Sequence, residues 1–173
     1  MNLLHVYTGD GKGKTTAATG LAVRALGTGW HVLIAQFMKT GKSSEIEALR
    51  QFPNANVVKL APVTKFSFQM TPEELEKTRE MQTKELYRLC DIIQEEKPNL
   101  IILDELAVAT GTGILTEADM HHLLDVALSQ GETVATGQKA PQSLLDRADY
   151  VSEICKRKHP YDQGIKARKG VEY

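Results

Sequence analysis

The sequence predicts a three-layer α/β fold, in which a mostly parallel central sheet is flanked by helices. Short apolar runs alternate along the 173-residue chain with segments of helical periodicity, and this alternation is typical of parallel sheets. The run at residues 100–103 (LIIL) is too short and too apolar to be anything but a central strand. The sequence contains no internal repeat, linker or low-complexity tract, so we expect residues 1–173 to form a single domain.

The elements follow one another along the chain as this fold class requires. Six apolar runs are predicted as strands: residues 3–7, 31–37, 56–60, 100–103, 132–136 and 150–155. The segments between them carry helical periodicity or helix-start signals: residues 14–26, a segment that opens at residue 44, and residues 72–96, 116–129 and 141–147.

Residues with capping preferences mark several of these helix ends. Gly27 follows the first helix as a C-terminal cap, and the spacing of Ser44 and Glu47 fits a capping box. Thr71 is predicted as the N-cap of the long helix, with Pro72 at its first position.

Composition and charge limit the possible partners. The formal net charge of −1 argues against a surface for broad electrostatic binding of nucleic acid. No stretch approaches the ~20 apolar residues that span a bilayer, and the chain does not open on a signal peptide. Cys90 and Cys155 form no CxxC pair and are interpreted as reduced thiols. We therefore expect a cytoplasmic protein whose partners include neither nucleic acid nor a membrane.

A glycine-rich loop separates the first predicted strand from the first predicted helix. Its glycines let successive backbone N–H groups converge on an anion, and the helix N-terminus adds its dipole. Lys14 adds a full charge, and the hydroxyl of Thr15 is suited to Mg²⁺. The predicted nucleotide-binding residues are Gly9, Asp10, Gly11, Lys12, Gly13, Lys14, Thr15 and Thr16.

The context of this loop distinguishes two interpretations. Counted from Gly9, the loop is one residue shorter than the usual G-x-x-x-x-G-K-[ST] pattern, and the alternative is a glycine-rich turn with incidental lysines. Strand, loop and helix nevertheless occur in the required order. This order favours a P-loop NTPase-like fold that binds ATP.

Two acidic residues end the central strand. Asp104 and Glu105 follow residues 100–103 and therefore stand at the carboxyl edge of the predicted sheet, beside the phosphate loop. Alone, such a pair is more often a helix cap or a solvated strand end. Together with the loop it predicts a Mg²⁺ site, because Mg²⁺ takes oxygen ligands.

Six segments carry further motifs in a fixed order. They are residues 8–16 (TGDGKGKTT), 36–39 (QFMK), 66–68 (FSF), 103–106 (LDEL), 136–153 (with TG, AP and ADYVSE) and 158–173 (KHPYDQGIKARKGVEY). In this order they resemble the P-loop family of ATP:cob(I)alamin (corrinoid) adenosyltransferases. The resemblance extends from end to end except for an N-terminal extension of the longer members.

The resemblance implies transfer of the 5′-deoxyadenosyl group of ATP to the cobalt of a corrinoid. Reduced Co(I) is itself the nucleophile, attacks C5′ of the ribose and expels triphosphate, so the protein contributes positioning and charge stabilisation. The implied substrates are ATP and a corrinoid, with Mg²⁺ as cofactor. An electron-donating reductase or other reductant and a second copy of the chain in a homodimer are the implied partners.

The resemblance also assigns roles to individual residues. Lys14 and the loop stabilise the developing triphosphate charge, while Thr15 and Glu105 hold Mg²⁺ with Asp104 in support. The aromatic pair Phe66 and Phe68 matches residues that occupy the lower face of the cobalt and displace its axial base, which makes Co(II) easier to reduce. Considered by themselves, two aromatics at this spacing more often pack in a core.

Several positions depart from the family pattern or stay open. Asp10 stands where Asn is common, Gln138 where Arg is usual, and Phe68 where Trp is commoner. His159 is equally compatible with a contact to corrin or phosphate and with a structural role.

Three other functions are weighed against this interpretation. A motor or strand-exchange ATPase needs a nucleic-acid surface, which the near-neutral charge disfavours. A small-molecule kinase predicts an arginine-rich lid, and the sequence contains no such segment. A sensor that binds ATP and corrinoid without turnover remains the alternative, because of the changes at Asp10 and Gln138.

Overall fold

A six-stranded parallel sheet forms the centre of the computed structural model, which describes residues 1–39, 43–65 and 67–172. The strands are β1 (Leu4–Thr8), β2 (Val32–Gln36), β3 (Ala55–Val58), β4 (Leu100–Asp104), β5 (Glu132–Thr136) and β6 (Tyr150–Glu153). Their order across the sheet is β3-β2-β4-β5-β1-β6, and every neighbouring pair is parallel. The prediction of a mostly parallel sheet is confirmed.

Helices cover both faces of this sheet. They are α1 (Lys14–Gly27), α2 (Ser44–Leu49), α3 (Pro72–Glu96), α4 (Leu106–Gly111), α5 (Glu117–Gln130) and α6 (Gln142–Arg147). Buried side chains of α1 and α2 share one core with alternate residues of β2, β4 and β5. Buried side chains of α3 to α6 share the other core with the opposite faces of the strands. The result is the expected three-layer arrangement.

The predicted cap at Thr71 is confirmed, and the helix predicted to open at Thr116 has a cap of the same kind. The Thr71 side chain accepts a hydrogen bond from the backbone N–H of Glu74, whose carboxylate accepts one from the N–H of Thr71 in return. The same reciprocal pair joins Thr116 and Asp119 at the start of α5. These boxes satisfy N–H groups that lack partners within a helix.

Two predicted caps need correction, and one helix was missed. Gly27 is the last residue of α1 and not its C-cap, which is Thr28. The capping box at Ser44 is wrong, because Ser44 is already helical and Ser43 is the N-cap, without a side-chain capping bond. Three residues after Ser43 stands Ile46, which has no acceptor to complete a box. Helix α4 was not predicted, because it follows the strand-end residue Glu105 directly and has no side-chain cap to mark its start.

Parallel strands bring their carboxyl ends to one edge of the sheet. The glycine loop follows β1, and Glu105 follows β4, so both lie at this edge. Phe66, Thr40, Gly41, Lys42 and Tyr173 lie outside the described residues. Within the described ranges, no helix has the length and apolar character needed to cross a membrane.

Candidate active site

A cleft of about 730 Å³ opens at the carboxyl edge of the sheet. Its wall includes seven of the eight predicted nucleotide-binding residues, from Asp10 to Thr16. The remaining lining residues come from the segments after β2, β3, β4 and β5 and from the C-terminal tail: Met38, Lys39, Ser43, Glu45, Val63, Thr64, Lys65, Glu105, Val108, Gln138, His159, Val171 and Glu172. The glycine loop and Glu105, which were predicted to bind ATP and its metal, therefore line the same cavity.

The glycine loop packs tightly against the chain that leaves β6. The N–H of Gly11 donates to the carbonyl oxygen of Ile154 at 2.7 Å. A Cβ atom would lie 2.5 Å from this oxygen at Gly9 and 2.7 Å from it at Gly11, so neither position accepts a larger residue without movement. Gly9 and Gly13 also have φ angles of 99° and 123°, which L-residues rarely adopt.

Lys14 is buried beneath this loop and contacts the loop itself. Its Nζ donates to the carbonyl oxygens of Gly9 at 2.8 Å and Gly11 at 2.7 Å. Burial lowers the pKa of Lys14, and the nearby carboxylates, led by Glu105, oppose that shift. The ammonium group is thus held at the floor of the cleft, where it faces anions that enter.

Asp104 is the centre of a buried hydrogen-bond network. The residue as a whole is 1% exposed, and each carboxylate oxygen accepts two hydrogen bonds. Oδ1 accepts from the hydroxyl groups of Thr15 at 2.9 Å and Thr136 at 2.7 Å. Oδ2 accepts from Gln36 Nε2 at 2.9 Å and Lys39 Nζ at 2.6 Å. The network joins the first residues of α1 to the ends of β2, β4 and β5.

Glu105 lies beside this network and lines the cleft. Its φ angle is 62°, in the left-handed region, and its N–H donates to the Thr136 hydroxyl at 3.0 Å. Burial, followed by repulsion from Asp104, raises the pKa of Glu105. An unusual backbone at a partly buried carboxylate costs stability, and such costs are concentrated at functional sites.

The oxygen groups at this point suit Mg²⁺. A hydroxyl and two carboxylates come from Thr15, Asp104 and Glu105, and Mg²⁺ is usually held by one or two carboxylates together with substrate phosphates. The described residues contain no group of three or more His, Cys, Asp or Glu that would form a closed metal cage. The donor set therefore fits a metal that is shared with a triphosphate.

The positions that depart from the family pattern also have definite surroundings. Asp10 Oδ1 accepts from the N–H of Lys156 at 2.8 Å, and this bond lowers the pKa of Asp10. An amide oxygen accepts the same bond, so Asn fits there equally well. Gln138 lines the cleft, as does His159, whose Nδ1 accepts from the N–H of Tyr161 at 3.2 Å. His159 thus has a structural contact in addition to its place in the cavity wall.

The aromatic pair lies differently from the loop residues. Phe68 belongs to a short 3₁₀ helix, Ser67–Gln69, and is 81% exposed. It is therefore not part of a core, and it is not among the residues that line the cleft. The prediction for Phe66 falls on a residue outside those described.

Three partners of Asp104 were not predicted as site residues. Gln36, Lys39 and Thr136 occur within the family motifs, but their contacts with a carboxylate depend on which strands are neighbours. The sequence feature that could have identified them is their shared position at or just after the end of a strand. The order β2-β4-β5 turns that shared position into contact.

Comparison with known proteins extends these observations to the whole chain. Residues 1–173 match the family described as ATP:corrinoid adenosyltransferase BtuR/CobO/CobP. The chain belongs to this family. It is 31% identical to the corrinoid adenosyltransferase of Pseudomonas aeruginosa, over 99% of this chain and 83% of that protein. It is 30% identical to the corrinoid adenosyltransferase CobA of Salmonella typhimurium, over 99% of this chain and 85% of that protein.

Members of this family are transferases that use ATP and a corrinoid as substrates. A solved structure supports the fold independently: the flagellar accessory protein FlaH of Methanocaldococcus jannaschii has a TM-score of 0.56. That likeness covers 88% of this chain and 70% of FlaH at 13% sequence identity. At this identity it supports the architecture alone.

Proposed function

We propose that this chain transfers the 5′-deoxyadenosyl group of ATP to the Co(I) of a corrinoid and releases triphosphate. The observation that carries the proposal is the cleft, in which a buried P-loop lysine faces strand-end carboxylates, within a chain that matches the adenosyltransferase family over its whole length. The family match supports a corrinoid cobalt as the acceptor, whereas other P-loop proteins transfer a phosphoryl group to a hydroxyl or to water.

The reaction requires little covalent chemistry from the protein. The electron pair of Co(I) forms a bond to C5′ as the C5′–O5′ bond breaks, and the oxygen leaves with its electrons as part of triphosphate. Cobalt is formally oxidised to Co(III), and no proton has to move. Lys14, Lys12 and the loop N–H groups would therefore act by stabilising negative charge on the leaving group.

We assign the metal to Thr15, Asp104 and Glu105. Bound there, Mg²⁺ would supply positive charge to the triphosphate. Asp104 also orients the Thr15 hydroxyl by accepting its hydrogen at 2.9 Å. Glu105 contributes a carboxylate on the cleft side of the network.

We assign the corrinoid to the open side of the cleft, with Phe66 and Phe68 against the lower face of the cobalt. The 81% exposure of Phe68 supports this role, because an exposed aromatic ring offers apolar surface to a large planar ligand. Displacement of the axial base would make Co(II) easier to reduce. An electron-donating reductase or other reductant would supply the electron.

The organisation of the protein is part of the same proposal. We infer a single domain over residues 1–173, a homodimer and a cytoplasmic location. The free thiols of Cys90 and Cys155 favour a reducing compartment. Edge strand β6, with Tyr150 and Val151 about half exposed, offers apolar surface to a second copy.

Product analysis tests the central proposal. The protein is incubated with ATP, Mg²⁺ and chemically reduced cobalamin, and the visible spectrum and phosphate species are followed together. We expect a light-sensitive alkylcobalt product and one equivalent of intact triphosphate, with Lys14→Ala folded but inactive. ADP and orthophosphate without an alkylcobalt product would assign the protein to the kinases or hydrolases. Binding of both substrates without turnover would favour the sensor.

A further inference from the structure

Lys39 lies at a position that the phosphate-loop motif does not explain. It follows β2, and the residue before it, Met38, has a φ angle of 54°. A positive φ is uncommon for a long side chain and directs the chain sharply at this point. The preceding N–H, of Phe37, donates to the backbone oxygen of Asp104 at 2.9 Å. Together these features fix the base of Lys39 beside the end of β4.

The ammonium group of Lys39 contacts the two oxygen groups at the centre of the candidate metal site. Nζ lies 2.6 Å from Asp104 Oδ2 and 3.3 Å from Thr15 Oγ1. The Thr15 hydroxyl directs its hydrogen to Asp104 Oδ1, so it receives Lys39 on a lone pair. A hydroxyl binds a metal through a lone pair, and Lys39 occupies one of the two on Thr15. Lys39 therefore uses the acceptor capacity that a cation at this position requires.

A divalent cation and this ammonium group exclude each other. Mg²⁺ binds oxygen at about 2.0–2.1 Å, and a second positive charge within hydrogen-bond distance of the same atoms would be strongly repelled. Among the four donors to Asp104, Lys39 carries the charge, whereas Gln36, Thr15 and Thr136 are neutral. The three neutral donors suffice to keep the carboxylate oriented if Lys39 leaves.

The Lys39 side chain has room to move into the cleft. Its side chain is 27% exposed and lines the cleft, whereas that of Asp104 is 2% exposed. A lysine stem has four carbons and rotates freely, so its ammonium group reaches different anions from one backbone position. The cleft in which a triphosphate would lie is the direction open to it.

We propose that Lys39 is a positioning residue. In the free protein its ammonium group contacts the oxygen atoms that bind the metal. It leaves these atoms to Mg²⁺ when triphosphate enters the cleft. This inference rests on the magnesium site of the proposed function. It implies that the free protein binds divalent cations weakly and that the metal is loaded together with ATP. In the free protein the charge of Lys39 offsets the Asp104 carboxylate, and in the loaded protein the metal would do so.

The test measures metal affinity without ATP or corrinoid. The probe is Mn²⁺ alone, titrated into the full-length protein and followed by the electron paramagnetic resonance signal of the free ion. Lys39→Met preserves the length of the side chain and removes its charge. We expect the Mn²⁺ dissociation constant to fall by about tenfold or more, because no charge-assisted bond has to be broken.

A matched control separates local competition from general electrostatics. Lys65 lines the same cleft, but its ammonium group pairs with Glu74. Lys65→Met removes the same charge from the cavity and should change Mn²⁺ affinity less than about threefold, because exposed pairs interact weakly. Lys39→Arg keeps the charge and should retain the weak binding of the unaltered protein. Thermal melting checks folding, and Lys39→Gln replaces Lys39→Met if that variant unfolds.

The outcomes separate this inference from the proposed function. Equal effects of Lys39→Met and Lys65→Met, or unchanged or weaker Mn²⁺ binding by Lys39→Met, would overturn the role of Lys39. If Lys39→Met also binds no Mn²⁺, removal of the charge has not opened the oxygens to a metal, and the role of Lys39 fails. The metal assignment does not depend on this titration, because it includes the triphosphate. Product analysis of the unaltered protein decides the adenosyl transfer separately.

Discussion

Replacement of Asp104 by Asn tests whether the network around this carboxylate stabilises the fold. Asp104 is 1% exposed and accepts four hydrogen bonds. Asn has nearly the same shape, but one of its two terminal groups is an NH₂ that cannot accept. Two of the four donors must therefore face another donor, unless they rotate.

The magnitude follows from which donors can rotate. The hydroxyls of Thr15 and Thr136 can turn to accept from an NH₂, whereas Gln36 Nε2 and Lys39 Nζ cannot accept. The amide oxygen of the variant should therefore face Gln36 and Lys39. The variant then loses the negative charge that strengthens the bonds from Gln36 and Lys39. The Thr15 and Thr136 hydroxyls also have to reorient. Hydrogen bonds to charged groups contribute about 1.5–3 kcal/mol each, so we expect a loss of about 2–3 kcal/mol in the free energy of unfolding.

Denaturant unfolding at neutral pH measures this loss. The matched control is Asp91→Asn, an exposed aspartate on α3, for which we expect a change within about 0.5 kcal/mol. If both variants lose the same small amount, the four bonds do not contribute to stability, and the account of a preformed site is refuted. An unchanged denaturant slope is needed for the comparison to hold.

Three further changes test other parts of the structure. Gly11→Ala places a Cβ 2.7 Å from a backbone oxygen, so we expect it to lower the free energy of unfolding by about 1–3 kcal/mol and to weaken ATP binding. The control Gly20→Ala in α1 meets nothing within 4 Å and should raise the free energy of unfolding by about 0.5–1 kcal/mol. Equal losses in urea titrations would contradict this. Burial and Asp104 raise the pKa of Glu105, so the stability tied to its neutral form is lost as pH rises through that pKa. Glu105→Gln should therefore melt higher than the unaltered protein at pH 8 and equally near pH 4, and a lower melting temperature at pH 8 would refute the sign. Phe68→Ala should spare melting and the reaction of preformed Co(I) but impair the reaction that starts from Co(II) with a mild reductant; equal losses in both assays would exclude base displacement.

Much of the architecture was predictable because its signals are local. A strand buried on both faces has a continuous apolar run, as at residues 100–103 of β4, and helix starts such as Thr71 and Thr116 carry their own acceptors. Helix α4 was missed for the opposite reason. It begins after Glu105 in the left-handed region, has no side-chain cap and ends after six residues. Its formation depends on packing of Leu106, which is fully buried, rather than on propensity.

The candidate site was predictable where one segment contains the whole signal. The loop from Gly9 to Thr16 could be predicted because it lies between a strand and a helix that are both visible in the neighbouring sequence. The contacts of Asp104 were not predictable in this way, because Gln36 and Thr136 stand 68 and 32 residues from it in sequence. Only the strand order places β2 and β5 on either side of β4. Strand ends are visible in a sequence, but strand neighbours are not.

Two lysines of the cleft, Lys14 and Lys39, show how the site is arranged for a charged ligand. Lys14 donates to loop carbonyls, and Lys39 donates to Asp104, so each ammonium group already has a partner within the protein. Burying either one without a partner would be costly. A triphosphate with its metal would change these partners: anionic oxygens would replace the neutral carbonyls around Lys14, and a divalent cation would replace the Lys39 ammonium group beside Asp104. Binding would then be an exchange of partners, in which no buried charge is left unpaired at any stage.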